Sequence, residues 1–208
     1  MKSRFHDGQG NLIDFAGALY APRALTSAIV RKISGYRPAM PWISYRATRF
    51  LDQQINREWR VIEFGSGMST LWFAARCGYL HSIESDERWY KFVSQRLAGA
   101  KHVRYELRPV EQYPDVGDYA DRSVDFALVD GIWRAGCVES VAPKIRAGGY
   151  LYLDNSDLEI TIPDGDIQRA AATAINACEA RGGRHKYFVD FRPGEFGVTQ
   201  GLLIQFGS

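Results

Sequence analysis

From Arg60 onward, short β-rich runs alternate with helical ones, and this rhythm constrains the fold more than any other property of the chain. Runs 60–64, 79–84, 102–107, 124–130 and 149–154 are apolar and β-branched or aromatic, as buried strands are. Helical patterns over 69–77, 87–97, 135–146 and 166–181 follow four of them. Strands separated by helices of about 10–15 residues imply βαβ units, a parallel sheet covered on both faces and right-handed crossovers. The rhythm breaks at the end. Runs 185–191 and 202–206 are joined by 192–197, Arg-Pro-Gly-Glu-Phe-Gly, which leaves no room for a helix, so the two pair as an antiparallel hairpin. The expectation is an α/β, Rossmann-like, doubly wound and mostly parallel seven-stranded sheet with one antiparallel C-terminal strand. A flavodoxin-like sheet with a terminal hairpin is the alternative.

Ahead of the sheet, 24–33 and 43–55 read as two amphipathic helices separated by Gly35 and two prolines, Pro38 and Pro41. The whole chain, 1–208, is expected to be one domain, with 1–58 a helical extension and 59–208 the core. The extension is either a lid over the site at the strand ends or a cover for a sheet edge.

The first strand ends in Glu63-Phe64-Gly65-Ser66-Gly67-Met68-Ser69-Thr70. Two glycines permit a tight turn that brings backbone N–H groups to a ligand at the carboxyl end of a sheet. The dinucleotide fingerprint needs a third glycine where Thr70 stands. The second strand ends in Glu84-Ser85, an acid 21 residues after Glu63. Such an acid can accept both hydroxyls of a ribose, or cap the helix that follows. The fourth strand ends in Asp130-Gly131, placing a carboxylate at the switch-point crevice. The fifth is preceded by Gly148-Gly149 and ends in Asp154-Asn155.

These four features, in this order over 61–155, resemble class I S-adenosylmethionine-dependent methyltransferases, and the last two resemble the small-molecule O-methyltransferases among them. The resemblance implies S-adenosylmethionine as cofactor, bound by Glu63, Gly65, Ser66, Gly67, Ser69, Glu84, Ser85, Asp130 and Gly131. Asp130 is the candidate to orient or deprotonate an acceptor hydroxyl. In cation-dependent members the places of Asp130, Asp154 and Asn155 bind a divalent metal, but here Gly-Ile-Trp-Arg follows Asp130 where those enzymes carry Lys, and the 24-residue spacing is slightly short. No metal is therefore expected. The implied activity is O-methylation of a small metabolite or glycan. A nicotinamide-dependent oxidoreductase and a non-catalytic scaffold on the same sheet remain as alternatives.

Trp133 and Arg134 either line the acceptor pocket or serve as core and solvated residues. Tyr36, Trp42 and Tyr45, with Trp133, are candidates for stacking on a sugar or aromatic ring at the entrance, or for lid core. His81, inside a strand, reads as a satisfied core group.

Net charge is +2 with signs interspersed, which lacks the basic footprint of nucleic-acid binding. Three widely spaced cysteines, Cys77, Cys137 and Cys178, speak against a disulfide framework or zinc knuckle and suit a reducing cytoplasm. The polar N-terminus does not resemble a signal peptide, and no apolar run is long enough to span a membrane. Neither nucleic acid nor membrane is expected as a partner.

Overall fold

The computed structural model of the chain describes residues 3–97, 99–157 and 165–208. Seven strands, β1 (Arg60–Phe64), β2 (Tyr79–Glu84), β3 (Val103–Leu107), β4 (Val124–Val129), β5 (Ile145–Leu153), β6 (Arg184–Phe191) and β7 (Val198–Gln205), form one sheet in the order β3-β2-β1-β4-β5-β7-β6. Only β7 runs antiparallel to its neighbours, pairing with β5 on one side and with β6 along eight residues on the other. The strand order reverses between β1 and β4, so the switch-point crevice opens beyond Phe64 and Val129.

Alternation along the strands sorts the core into two layers. On one face Ile62, Phe64, Ile83, Ala127, Val129 and Leu151 pack against helices α6 (Arg134–Val141) and α7 (Asp166–Ala180). On the other, Val61, Leu80, Phe126 and Leu128 meet α4 (Met68–Ala74) and α3 (Tyr45–Gln54) through Trp72, Phe73, Ala47 and Leu51. A period of two in each strand, with both faces apolar, is what a buried sheet requires.

Several boundaries differ from the sequence reading. Strand β5 begins at Ile145, because Gly148, at φ +72°, makes an irregular step within the strand and its N–H pairs with the Phe206 carbonyl. The helix expected over 135–146 ends at Val141, where Pro143 breaks it into a short 3₁₀ turn. Strand β7 starts earlier than expected, at Val198.

The N-terminal extension comprises α1 (Phe15–Ala18), α2 (Ala21–Ser34) and α3, the last capped by Ser44. It is tied to the end of the chain. The carboxylate of Asp190, on β6, accepts the Ser44 hydroxyl and the Arg46 N–H, each at 2.9 Å. Further out, Asp157 accepts the N–H groups of Gly8 and Gln200. With Leu51 fully buried in the sheet-face core, α3 is packed as a layer of the fold. Among the described residues no helix is long and apolar enough to cross a membrane.

Candidate active site

Two clusters of acidic residues meet at the crevice. The first is built on the ends of β1 and β2. Gly65 adopts φ +90°, and a Cβ there would lie 2.8 Å from the Asp130 carbonyl oxygen and 2.7 Å from the Gly131 nitrogen. A side chain at 65 would therefore push the two strand ends apart. Gly131 is equally constrained, since its Cβ would overlap the Tyr113 hydroxyl.

Beyond Gly65 the turn is held by hydroxyls. The Gly67 N–H donates to Thr70 Oγ1 (2.8 Å), and that hydroxyl donates to Glu63 Oε2 (2.6 Å), which also accepts the Ser82 hydroxyl (2.6 Å). Thr70, at the place of a third glycine, thus locks the turn onto the strand-end acid. Burial pushes Glu63 up to about 7, against the hydroxyls that stabilise its charge. Its other oxygen, Oε1, is buried without a hydrogen-bond partner among the described residues.

Glu84 is engaged on both oxygens. Oε2 accepts the Ser66 N–H (3.0 Å) and hydroxyl (2.6 Å), and Oε1 accepts the N–H groups of Ser85 (2.7 Å) and Asp86 (2.8 Å). The capping role falls to Asp86, which accepts the Trp89 N–H at the start of α5 (Glu87–Ser94). Ser66 also meets the Tyr105 hydroxyl at 2.6 Å, and its carbonyl accepts the Trp89 indole N–H. Ser69 is buried behind the same turn.

The second cluster sits on the ends of β4 and β5. Asp154 is fully buried and neither carboxylate oxygen has a hydrogen-bond partner among the described residues. Burial and the nearby charge of Asp130 push it well above the carboxylate range, and burial raises Asp130 as well. Two guanidinium groups oppose this. Arg134 Nη2 lies 3.4 Å from Asp130 Oδ1, and Arg192 Nη1 lies 3.7 Å from Asp154 Oδ2. Arg134 is not the solvated first-turn residue that one sequence reading allowed. Its guanidinium is largely buried and donates to the carbonyls of Gly131 (2.9 Å) and Asp154. Trp133, just before it, stands in the left-handed region at φ +46° and is 46% exposed, so it is not core. A non-glycine residue held there stores backbone strain beside the crevice.

The donor set does not suit a divalent cation. Among the described residues two carboxylates converge, both flanked by guanidinium groups that already supply positive charge. Among the described residues no group of three or more His, Cys, Asp or Glu side chains could hold a metal.

The strand ends therefore bring together Glu63, Gly65, Ser66, Gly67, Glu84, Ser85, Asp130 and Gly131. Arg192, Trp89 and Tyr105 also touch the site, and no motif in the sequence points to them. Tyr45 is buried and stacked on Tyr20, whereas Tyr36 and Trp133 are exposed. His81 is buried, meets the hydroxyl of Tyr119 at 2.9 Å, and is pushed down to about 4 by burial.

No family model matches the chain, and no curated protein matches its sequence. Solved structures do match its fold. An O-methyltransferase from Bacillus cereus, in complex with S-adenosylhomocysteine, shares 16% identity at a TM-score of 0.61, covering 90% of each chain. A SAM-dependent O-methyltransferase from Thermotoga maritima shares 12% identity at a TM-score of 0.55, over 88% of this chain and 71% of that one. An rRNA methylase from Streptococcus thermophilus shares 15% identity at a TM-score of 0.59, over 83% of this chain and 98% of that one. The chain has the class I methyltransferase fold.

Proposed function

We propose that this chain is an S-adenosylmethionine-dependent methyltransferase that methylates the hydroxyl of a small metabolite or glycan. The observation that carries the reading is the Glu63–Thr70–Gly67 chain of hydrogen bonds. It fixes a two-glycine turn at the switch point, the turn that would present backbone N–H groups to the amino-acid portion of such a cofactor. A nicotinamide site would instead use a third glycine where Thr70 makes these bonds.

The residues suit such a cofactor. Gly65, Ser66, Gly67 and Ser69 would line its amino-acid portion. Glu84, with Ser85, would hold the ribose once Ser66 yields one of its two bonds to that carboxylate. The cofactor supplies an activated methyl group on its sulfonium. What remains for the protein is to hold the acceptor in line, exclude water and take up a proton. Asp130 is assigned that last role. Its raised affinity for protons brings it nearer the range of a useful general base, and Arg134 steadies the carboxylate.

O-methylation is favoured over a ribosomal RNA acceptor because the chain's net charge of +2 is small against the phosphate contacts that nucleic-acid enzymes make. In this reading 1–208 is one domain in which 59–208 binds the cofactor. Calorimetric titration with S-adenosylhomocysteine and with NADH tests the cofactor: tight binding of NADH alone would overturn it. Incubation of metabolite, glycan and RNA pools with methyl-labelled cofactor tests the acceptor. Label confined to RNA or to nitrogen would defeat the O-methyl assignment and leave the cofactor standing.

A further inference from the structure

Helix α2 is amphipathic in the unexpected sense. Its inward side is Ala24, fully buried, with Ala21, Ser27 and Ala28 half-buried beside it. Its outward side carries the large aliphatic residues. Leu25, Ile29 and Ile33 recur every four residues and so line up along one stripe, with Val30 next to it. Ile33 is 81% exposed and Ile29 48%. Lys32 flanks the stripe on one side and Arg23 on the other, both exposed. Close by in the chain, Phe15 is 82% exposed and Tyr36 62%. An apolar patch of this kind on a small chain marks a surface that something covers.

Charge says what covers it. Between residues 15 and 51 there is no Asp or Glu, but there are six cations: Arg23, Arg31, Lys32, Arg37, Arg46 and Arg49. With a net charge of +2 for the whole chain, the remainder carries −4. Arg46 is matched by Asp14 and Asp190, and Arg31 by Glu195. Arg23, Lys32, Arg37 and Arg49 form no ion pair among the described residues.

We propose that the outward face of α2 docks on an anionic lipid surface. The stripe would enter the boundary between headgroups and acyl chains, and Arg23 and Lys32 would extend along its flanks to lipid phosphates. A second copy of this chain fits less well, because a two-fold contact through α2 sets like charges against each other. Nucleic acid would match the cations and leave the aliphatic stripe in water. The inward side of α2 and the segment after it reach toward the crevice. Arg31 donates to the Gly194 carbonyl (3.2 Å), two residues from Arg192, and Arg37 stacks on Trp89 above the Ser66 turn. Docking does not depend on the proposed methyl transfer.

Co-sedimentation of the full chain with phosphatidylglycerol–phosphatidylcholine vesicles, and with phosphatidylcholine alone, tests the proposal. The chain is expected to pellet with the anionic vesicles and to be released by high salt. Ile29→Glu combined with Ile33→Glu should weaken binding at least ~30-fold, from the lost apolar burial. Lys32→Gln should weaken it roughly fivefold, the worth of one cation near an anionic surface. Circular-dichroism melts should be unchanged in both variants, since these side chains are exposed. The proposal is overturned if folded wild-type chain ignores anionic vesicles. It is equally overturned if sedimentation velocity shows a dimer that the double variant dissolves while vesicle binding is absent, or if the chain binds RNA and no vesicle.

Discussion

The two acidic clusters at the crevice are built in opposite ways. At the ends of β1 and β2, neutral hydroxyls and backbone N–H groups hold Glu84 on both oxygens and Glu63 on one. At the ends of β4 and β5, Asp130 and Asp154 face two guanidinium groups at 3.4 and 3.7 Å, and the buried oxygens of Asp154 accept no hydrogen bond among the described residues. Local sequence can supply the first kind of support. The second needs side chains from three separate segments, and it leaves charge poorly neutralised in a buried place. A site that must grip one constant ligand and accommodate a variable one has reason to be stiff on one side and electrostatically poised on the other.

The sharpest way to break the contrast is Arg134→Leu. It removes the bonds to the Gly131 and Asp154 carbonyls and exposes Asp130 to the full effect of burial. Loss of one partner from such a buried charged group costs about 3–5 kcal/mol, readable in urea denaturation, and methyl transfer should disappear with it.

The second test uses pH on the stiff side. Glu63, raised from 4.5 to about 7, binds its proton more tightly folded than unfolded. Its contribution therefore favours the fold most at low pH and is lost as pH rises from about 4.5 to about 7, by at most ~3 kcal/mol. His81, pushed down to about 4, acts the other way and withdraws stability as pH falls below about 6.5. Comparing wild type with Glu63→Gln isolates the first contribution: the variant should gain relative stability across that window, seen in thermal melts from pH 5 to 8. A pH-independent difference between the two would refute the assignment.

Thr70→Val follows. It leaves the Gly67 N–H unsatisfied and takes one hydroxyl from Glu63, at a cost of about 2 kcal/mol. Titration calorimetry should show S-adenosylhomocysteine binding weakened roughly tenfold, with Thr70→Ser restoring most of it. The smallest effect is expected from Trp89→Phe, which loses one indole bond to the Ser66 carbonyl, about 1 kcal/mol of stability in urea denaturation, and weakens the stacking of Arg37.

The same contrast explains what could be read from the chain alone. Strands β1 and β2 are readable to the residue, because their apolar runs are flanked by clear breaks; the reversal of the last strand is readable from its missing crossover, but its start is not. The turn at Gly65–Gly67 and its partner Glu84 announce themselves through local spacing. Arg192 does not, since it reaches Asp154 only after β6 and β7 have been threaded into the sheet. The sequence leaves Arg134 open between a pocket residue and a solvated first-turn residue, because its partners are strand-end carbonyls, invisible in any local pattern. The start of β5 was missed for a related reason: Gly148-Gly149 reads as a break, but pairing with β4 and β7 carries the strand through it.

The bond between Ser44 and Asp190 spans 146 residues of chain, and the one between Gly8 and Asp157 spans 149. On a ribosome the extension emerges well before its docking partner on β6. Contacts this distant in sequence form slowly, because a long loop must close before they repay it. Until then Ile43, Ala47 and Leu51, at and just before α3, lack part of the sheet face they rest on. While the intervening chain is made, α3 therefore stays unanchored, and the threading of β6 into the sheet is the event that ties it down.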